Sequence, residues 1–587
     1  MFSIGIGLRL PILIADPLKL PTHNDQGIVA FAKQVLFTMK TLWISGRLAL
    51  ACLVCTLTLI SLGCGNPVTT FQQIIAKPLA LLASSPLISH PAAPVKNSDD
   101  KDAEETPTFP PAEDLVKDWD KPDVSLFVTG RLHGYIEPCG CTGLDKQKGG
   151  LLRRRTCQKI LLERGWDLVN IDAGNQIRRK GQQAKIKLGT TYDALCNQMG
   201  YQVIGLGVDD VEIPWIDLMQ TVFNVVGAEN PFVCANVAIA AAEETTNKYK
   251  VIEQNGMRLG VTSVIGDEHI PKLVNLDGLK QMSVTDGLKQ VAGPLVAEKC
   301  DLNILVAQSD PATCVAIAKK FPIFDVLITS GGAGDPKLQP DVIQTKNHTT
   351  SIIQVGVKGM YAGIVGIYKT PKGMSLKYER VPMDARFEDA IEMRKVFKNY
   401  QEELKLLWQS GQFEDIKPKL HPSGHKYVGS AACADCHEEE YEIWEDGIDG
   451  NGGPHAKATA DLTDPGERTW VKRNFDPECV SCHAVGWDPQ RYVPFETGFL
   501  DLEKHDHLHG NGCENCHGPG SAHVESEENG DEDEALRKEM IVTKAEAEAN
   551  LCLSCHDLDN SPDYALDPNG FEKFWPTIAH GGDDDDE

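Results

Sequence analysis

Basic residues are scarce in this chain of 587 residues. Against 84 aspartates and glutamates it has 57 lysines and arginines, which gives a formal net charge of -27 at pH 7. Such a charge excludes a general nucleic-acid-binding role and makes an anionic membrane surface an unfavourable partner. A protein that docks on this chain is therefore expected to present a basic patch, and the association should weaken as salt is added.

Long apolar runs are also scarce, and the most pronounced one extends from Leu48 to Gly63, after Lys40 and Arg47. A basic start followed by a short apolar run predicts a signal peptide, with Met39 as a candidate true start. The run ends in Ser, Leu, Gly and Cys64, which resembles a bacterial lipoprotein signal with Cys64 as the lipidated residue. A plain cleaved signal and an uncleaved anchor are the alternatives. In each case we expect a protein exported across the bacterial inner membrane, either as a periplasmic protein or as a membrane-anchored lipoprotein.

Length and composition predict several segments, because 587 residues are too many for one hydrophobic core. The stretch after the apolar run is rich in Pro, Ala, Ser, Asp and Glu, which is typical of a flexible tether. The predicted segments are an export segment (1–64), a disordered linker (65–121), an α/β domain (122–384), a helical connector (385–425) and a C-terminal domain with an acidic tail (426–587).

Strand-like and helical patterns alternate in the middle of the chain, which predicts α/β architecture. The expected helices are Leu151 to Glu163, Thr190 to Met199 and Thr285 to Glu298. The expected strands are Ser125 to Thr129, Leu168 to Ile171, Gln202 to Leu206, Arg258 to Ile265, Asn303 to Gln308, Asp325 to Thr329, Ser351 to Val357 and Ala362 to Lys369. In the connector, apolar residues at steps of three and four between Phe387 and Leu407 predict an amphipathic helix.

Four copies of the pattern Cys-x-x-Cys-His crowd the last third of the chain. Two cysteines three positions apart add as thioethers to the vinyl groups of a haem, and the adjacent histidine becomes a ligand of the iron. Disulfides and zinc sites are the alternative interpretations. Four covalently bound c-type haems are therefore expected, attached at Cys433, Cys436 and His437; at Cys479, Cys482 and His483; at Cys513, Cys516 and His517; and at Cys552, Cys555 and His556.

The sequence around these motifs resembles the tetrahaem cytochrome c-554/c-prime family over about 155 residues, in Tyr427 to Cys433, Pro454 to Ala458, Cys513 to Val524 and Ile578 to His580. The resemblance implies a mainly α, haem-packed domain with a second histidine on most irons. The motif positions give His455, His507, His523 and His580 as distal ligands. The family also implies that one haem has only five ligands, and other histidines could replace any of the four: His421, His425, His505 and His509.

A second resemblance covers roughly 250 residues of the middle domain. Leu132 to Gly134, Gly149 to Arg154 and Ile171 to Asn175 are similar to the opening of the 5'-nucleotidase-like metallophosphoesterases. In that family the motifs DxH, GD, GNH(E/D) and GHxH hold two metals that polarise a phosphate and activate water. The resemblance implies an α/β sandwich with this site at its edge.

The metal ligands of that family are largely missing. The residues at the ligand positions are Arg131, Asn175, Gly207 to Asp210 and Gly331 to Gly334. A cation at Arg131 would repel a metal, so the resemblance implies the fold with an inactive centre. An altered metal site is the alternative, built from His133, Asp172, Asp209 and Asp210.

Cys139 and Cys141 follow His133 at the expected mouth of this centre. One interpretation is a soft-metal site with His133. The other is a free thiol or a disulfide, with a partner among Cys157, Cys196, Cys234, Cys300 and Cys314.

The leading functional hypothesis is an exported tetrahaem cytochrome that transfers electrons to and from redox partner proteins. The first alternative is a haem oxidoreductase that acts on nitric oxide, hydroxylamine or nitrite, which requires an open iron position. A 5'-nucleotidase-like phosphoester hydrolase is disfavoured by the missing ligands. In a fourth hypothesis, the middle domain serves only as a binding or docking module.

Overall fold

The structure is a computed structural model that describes residues 111–138, 148–227, 229–448, 450, 452–464, 471–558 and 560–580. The predicted export segment with Cys64, most of the linker, the pair Cys139 and Cys141, and the acidic tail lie outside the described residues. The described residues all fall in one compact unit, Phe109–Glu587. No helix among them is long and apolar enough to cross a membrane.

Two six-stranded sheets form the middle domain. The first has the order β14-β13-β1-β2-β3-β4 and the second the order β11-β12-β10-β9-β7-β6. The strands of the first are β1 (Val124–Thr129), β2 (Leu168–Asp172), β3 (Val203–Gly205), β4 (Phe232–Val233), β13 (Tyr361–Thr370) and β14 (Gly373–Pro382). Those of the second are β6 (Lys250–Gln254), β7 (Met257–Ile265), β9 (Leu302–Gln308), β10 (Val326–Thr329), β11 (Asp341–Gln344) and β12 (Thr349–Gln354). A small ribbon pairs β5 (Val237–Ile239) with β8 (Leu279–Gln281).

The central strands of both sheets run parallel, and the antiparallel pairs lie at the edges. Parallel strands are covered on both faces, which is why β1 and β2 are buried along their whole length. The eight predicted strands all correspond to observed ones. In the two large sheets the prediction missed β4, which has only two residues, and β6, β11 and β14, whose residues alternate between buried and exposed positions or are mostly exposed.

The sheets pack face to face through aliphatic residues such as Val128 and Ile171 on one sheet and Val306 and Ile328 on the other. Helices cover the outer faces. Helices α1 (Leu151–Glu163), α2 (Gln182–Asp193), α3 (Trp215–Val225) and α4 (Ile270–Leu273) share an apolar cluster with the first sheet. Helices α5 (Val284–Ala297) and α6 (Pro311–Lys320) share one with the second sheet. Helix α2 begins eight residues before the predicted Thr190 and continues as a π-helical turn, Ala194–Gln198. The predicted α/β sandwich is confirmed.

The chain ahead of β1 also belongs to this domain. Leu115 is buried and Trp119 stacks on Trp166 with ring centroids 6.3 Å apart. Residues 111–121, which the sequence assigned to the linker, are therefore part of the folded unit.

The connector forms one amphipathic helix, α7 (Arg394–Ser410), which ends at Gly411 in the left-handed conformation that glycine tolerates. Its buried face includes Phe397, Tyr400 and Leu404, which join one continuous apolar cluster with residues of the middle and C-terminal regions. Phe387 and Ile391, which the pattern placed in this helix, precede it, and Ile391 is exposed. The helix therefore packs both regions against each other.

The C-terminal region consists of short helices and one two-stranded ribbon, β15 (Trp487–Asp488) with β16 (Val493–Pro494). Its helices are α8 (Glu438–Asp446), α9 (Ala458–Thr463), α10 (Pro477–His483), α11 (Cys513–His517), α12 (Ser521–Asn529), α13 (Glu534–Glu539), α14 (Lys544–Glu546), α15 (Pro562–Ala565) and α16 (Gly570–Phe574). The predicted mainly α character is confirmed. Toward the end of the chain the buried apolar cluster is small, with Ala547, Tyr564 and Phe571 at its centre.

Candidate functional site

Polar residues cluster where β1, β2 and β3 end, which is the edge of a parallel sheet where ligands usually bind. We call Arg131, His133, Asp172, Asn175 and Asp210 the strand-end pocket. Arg131, His133 and Asn175 have φ angles of 50°, 56° and 58°. Positive φ is costly for residues other than glycine and concentrates at functional sites, so the backbone here is held by its surroundings.

Asp172 is fully engaged with protein groups. One carboxylate oxygen accepts hydrogen bonds from Thr129 Oγ1 at 2.6 Å and from Arg154 Nη1 at 3.3 Å. The other accepts from the Gly174 amide at 2.9 Å and from Gln176 Nε2 at 2.5 Å. Both side chains of the Arg154–Asp172 pair are completely buried. Asp172 therefore acts as the centre of a buried ion pair, with its oxygens already occupied.

Arg131 and Asn175 connect the two sheets across the pocket. Arg131 Nη1 donates to the Gly332 carbonyl at 3.0 Å, and Asn175 Nδ2 donates to Gln308 Oε1 at 2.8 Å. Burial, together with the charges of the neighbouring Arg131 and Arg178, lowers the pKa of His133 to about 3. A guanidinium thus lies in the pocket, beside an imidazole that stays neutral.

The remaining acids of the alternative metal site have protein contacts of their own. Burial raises the pKa of Asp210 to about 7, and this carboxylate accepts from the Ile177 amide at 3.1 Å. Asp209 lies 3.9 Å from Lys272. Among the described residues no group of three His, Cys, Asp or Glu side chains could hold a metal ion, so the alternative site at His133, Asp172, Asp209 and Asp210 is not assembled. The five cysteines of this domain that the structure describes are free thiols.

Each haem-attachment motif lies in a short helical segment or directly beside one, which places its second cysteine and its histidine on one turn. The second motif ends α10 and the third forms α11, while the first precedes α8 and the fourth follows a π-helical turn. Glu514 of α11 is buried and accepts from the amides of Val428, Gly429 and Gly520 at 2.7 to 3.0 Å. Its carboxylate therefore ties the segment before the first motif to the third motif.

Several histidines are already oriented as ligands. His483 Nδ1 donates to the Ala458 carbonyl at 2.6 Å, His517 Nδ1 to Met540 at 2.6 Å and His580 Nδ1 to Ile578 at 2.8 Å. Metal-bound histidines generally donate their other ring N–H in this way, which leaves Nε2 for the metal.

Burial lowers the pKa of His455 to about 4 and also lowers the pKa values of His483, His517 and His556. The neutral imidazole is the form that binds a metal. The donor set therefore fits iron at these motifs.

Two predicted distal histidines face a motif histidine. The rings of His455 and His556 lie 6.2 Å apart, and those of His517 and His580 lie 5.9 Å apart. Because a metal–imidazole bond is about 2 Å long, such a separation suits two rings on opposite sides of one metal. These distances match His455 with the fourth motif and His580 with the third.

The other two predicted distal ligands are placed differently. His523 and His437 both lower the pKa of Glu527 through their charges, so they lie around one carboxylate. His507 is half exposed, and its ring lies 6.4 Å from that of His505. Among the described residues, the ring of His483 has no contact with another histidine ring. The assignment of His507 as a distal ligand stays a prediction.

A cavity of about 1970 Å³ opens between the middle domain and the C-terminal region. Drug-sized ligands occupy pockets of about 300–1,000 Å³, so this space is large enough for more than one such group. From the C-terminal region it is lined by the second and fourth motifs, Cys516 and His455; from the middle domain it is lined by His133, Arg178, Lys187 and Lys358. The volume and the donor set both fit bound haem.

Cysteines of different motifs also lie close together. The thiols of Cys433 and Cys513 affect each other's pKa, and Cys482 lowers the pKa of Cys555. The attachment atoms of the first and third motifs are thus neighbours, as are those of the second and fourth. Sequence spacing gave no indication of this arrangement.

The sequence also gave no sign of the polar contacts that join the two regions. Lys187 of α2 lies 2.5 Å from Glu478 of α10, and Gln183 donates to Asp476 at 2.8 Å. Arg179 covers the ring of Tyr492 at 3.6 Å, and Arg473 pairs with Glu137. In sequence these are ordinary polar residues, and no motif or spacing distinguishes them.

Residues 432–518 match the family described as cytochrome c554 and c-prime. Cytochrome c-554 of Nitrosomonas europaea is 29% identical over 104 residues, which cover 16% of this chain and 39% of that protein. The chain thus spans well under half of this curated relative. The predicted cytochrome c554-type region is confirmed over the matched residues, which contain the first three motifs. The family implies covalently bound haem.

The middle region is similar to 5'-nucleotidase structures, as predicted. The 5'-nucleotidase precursor of Thermus thermophilus has a TM-score of 0.41 at 15% identity, covering 49% of this chain and 60% of that one. The NAD nucleotidase of Haemophilus influenzae has a TM-score of 0.40 at 17% identity, covering 49% and 61%. The chain spans about three fifths of each. Its fold is defined by the strand order of its own two sheets.

Proposed function

We propose that this chain is an exported electron-transfer protein that binds four c-type haems and is fused to a catalytically inactive phosphoesterase-like domain. The observation that carries the proposal is the pairing of histidine rings beside the motifs, His455 with His556 and His517 with His580. When bound, the haems supply one-electron couples whose potentials depend on axial ligands and burial.

The chain's own residues hold and shield these groups. Backbone carbonyls fix His483 and His517 in the orientation that presents Nε2, and burial keeps both imidazoles neutral. Attachment cysteines from different motifs that lie close together place neighbouring redox sites at short range, which supports transfer of electrons through the domain.

Loss of phosphoesterase activity is supported by the strand-end pocket. The Asp172 oxygens are occupied by protein donors, and the Arg131 guanidinium bonds to the opposite sheet at Gly332. A cation in this position opposes a dinuclear metal site. Hydrolysis of a phosphoester substrate by the purified protein with Mn²⁺, abolished in an Asp172→Asn variant, would overturn this part of the proposal.

Location and partners follow from the same function. Attachment of c-type haem takes place on the outer side of the bacterial inner membrane, which fits the signal predicted before Cys64. The net charge of -27 favours a redox partner with a basic docking patch. Electron transfer with that partner should slow as salt is raised.

Two measurements on the purified holoprotein test the proposal. Intact mass gives the number of haems, which we expect to be four. Electron paramagnetic resonance of the oxidised protein and optical spectra with added carbon monoxide report open iron positions. Entirely low-spin iron that ignores the gas is the expected result for an electron carrier, and a chain without covalent haem would refute it.

A second candidate function is a haem oxidoreductase acting on a small nitrogen compound. It requires an open iron position, and among the described residues neither the ring of His437 nor that of His483 contacts another histidine ring; His483 lines the cavity. A high-spin signal that responds to nitric oxide, and that disappears in a Cys479→Ala/Cys482→Ala variant, would select this function.

A further inference from the structure

Three segments far apart in sequence meet beside the second haem-attachment motif. Gln183 and Lys187 come from α2 of the middle domain, Tyr400 and Gln401 from α7, and Asp476 and Glu478 from the start of α10. We call these six residues the clamp. They are polar, yet all except Glu478 are buried.

Asp476 is the centre of the clamp. It accepts from Gln183 Nε2 at 2.8 Å, from Gln401 Nε2 at 2.8 Å and from the Glu478 amide at 3.1 Å. Tyr400 adds a longer contact at 3.4 Å and also accepts from Gln183 at 2.8 Å. A buried carboxylate with several donors fixes its neighbours strongly, because each lost partner leaves a desolvated group.

Lys187 brings a positive charge to the same place. Its Nζ lies 2.5 Å from Glu478 Oε2, only 8% of the residue is exposed, and it lines the same cavity as Cys479 and Cys482. Its aliphatic chain packs over the backbone of Gly134, where an added Cβ would lie 3.2 Å from Lys187 Cδ. The turn that follows His133 therefore contacts the lysine that reaches the second motif.

We propose that the middle domain completes the second haem site, with Lys187 and Gln183 as positioning residues that set the orientation of α10 and the reduction potential of the haem attached at Cys479 and Cys482. This inference rests on the proposed function, since it requires a haem at that motif. The couple is ferric haem plus one electron giving ferrous haem, with the electron supplied by a mediated electrode. Reduction lowers the net charge by one, so a nearby cation raises the potential and a nearby carboxylate lowers it.

The test is a potentiometric titration of the holoprotein carrying Lys187→Met, Glu478→Gln or both. Lys187→Met leaves Glu478 uncompensated and should lower the ferrous-to-ferric ratio of the second haem about three- to tenfold at fixed potential; tenfold is about 59 mV for one electron. Glu478→Gln should shift the ratio in the opposite direction. The double variant should return close to the wild-type value, because it removes one charge of each sign and leaves Asp476 with its hydrogen bonds from Gln183, Gln401 and the amide of residue 478.

Assignment and control use variants of the same chain. A Cys479→Ala/Cys482→Ala protein identifies the second couple by its loss. Lys185→Met removes the same charge from the same helix, but Lys185 pairs with Asp217 at 2.5 Å inside the middle domain, so it should leave the second couple unchanged. Gln183→Leu should change the electron paramagnetic resonance signal of that haem through the orientation of α10.

The outcomes separate this inference from the proposed function. Fewer than four haems by intact mass would refute the cofactor number. If the protein carries four haems but the potential of the second couple responds equally to Lys187→Met and Lys185→Met, only the clamp is overturned. The shift would then reflect the loss of any positive charge on this helix. Opposite shifts for Lys187→Met and Glu478→Gln, cancelling in the double variant, would establish it.

Discussion

The buried Arg154–Asp172 pair makes a quantitative prediction about the middle domain. Replacing Arg154 by Met leaves a carboxylate in a fully buried position, where Thr129, Gly174 and Gln176 still donate to it but no cation remains. Removing one partner of a buried ion pair typically costs about 3–5 kcal/mol. For a domain of this size each kcal/mol lowers Tm by about 2–4 °C, so we expect a decrease of about 6–20 °C.

Thermal unfolding monitored by circular dichroism measures the change in Tm, and a urea titration measures the change in the free energy of unfolding. Arg155→Met is the matched control, because Arg155 lies on the same helix, pairs with Glu392 at 3.7 Å in a partly exposed position and donates to Gln158. Such pairs contribute about 0–1 kcal/mol. An Arg154→Met variant no less stable than the Arg155→Met variant would refute the role of the pair. A rise in wild-type Tm with Mn²⁺ that Asp172→Asn abolishes would instead mark Asp172 as a metal ligand.

Two further predictions concern pH and iron ligation. Burial raises the pKa of Asp210 to about 7 in the folded chain, whereas an unfolded aspartate ionises near pH 4. As the pH rises from about 4 to about 7, only the unfolded chain loses this proton, so the free energy of unfolding of the wild type should fall by up to about 4 kcal/mol. Asp210→Asn should flatten this decrease in urea titrations at pH 4.5 and pH 8, and an unchanged slope would contradict it. His580→Ala should convert the haem at His517 to a high-spin, carbon-monoxide-binding form, whereas His505→Ala should not, and unaltered spectra in both would disprove the assignment.

Local chemistry explains what could be predicted in advance. A thioether-bound haem needs two cysteines and a histidine within five residues, so attachment at a motif such as Cys479 to His483 is visible in the sequence. Most of the eight predicted strands are parallel and largely buried, and such strands are continuous apolar runs, as in β1. Edge strands such as β14 were missed because one face is exposed and the apolar signal is diluted.

The sequence by itself determined the haem-attachment chemistry and the α/β pattern, because each depends on residues that are close along the chain. The tertiary structure brought His455 near His556 and His580 near His517, and it placed Lys187 beside Glu478, 291 positions away. The contact of Lys187 with Glu478 depends on the packing of the middle domain against α10. Contacts between distant segments leave no spacing rule in one sequence, since only the folded chain brings their side chains together.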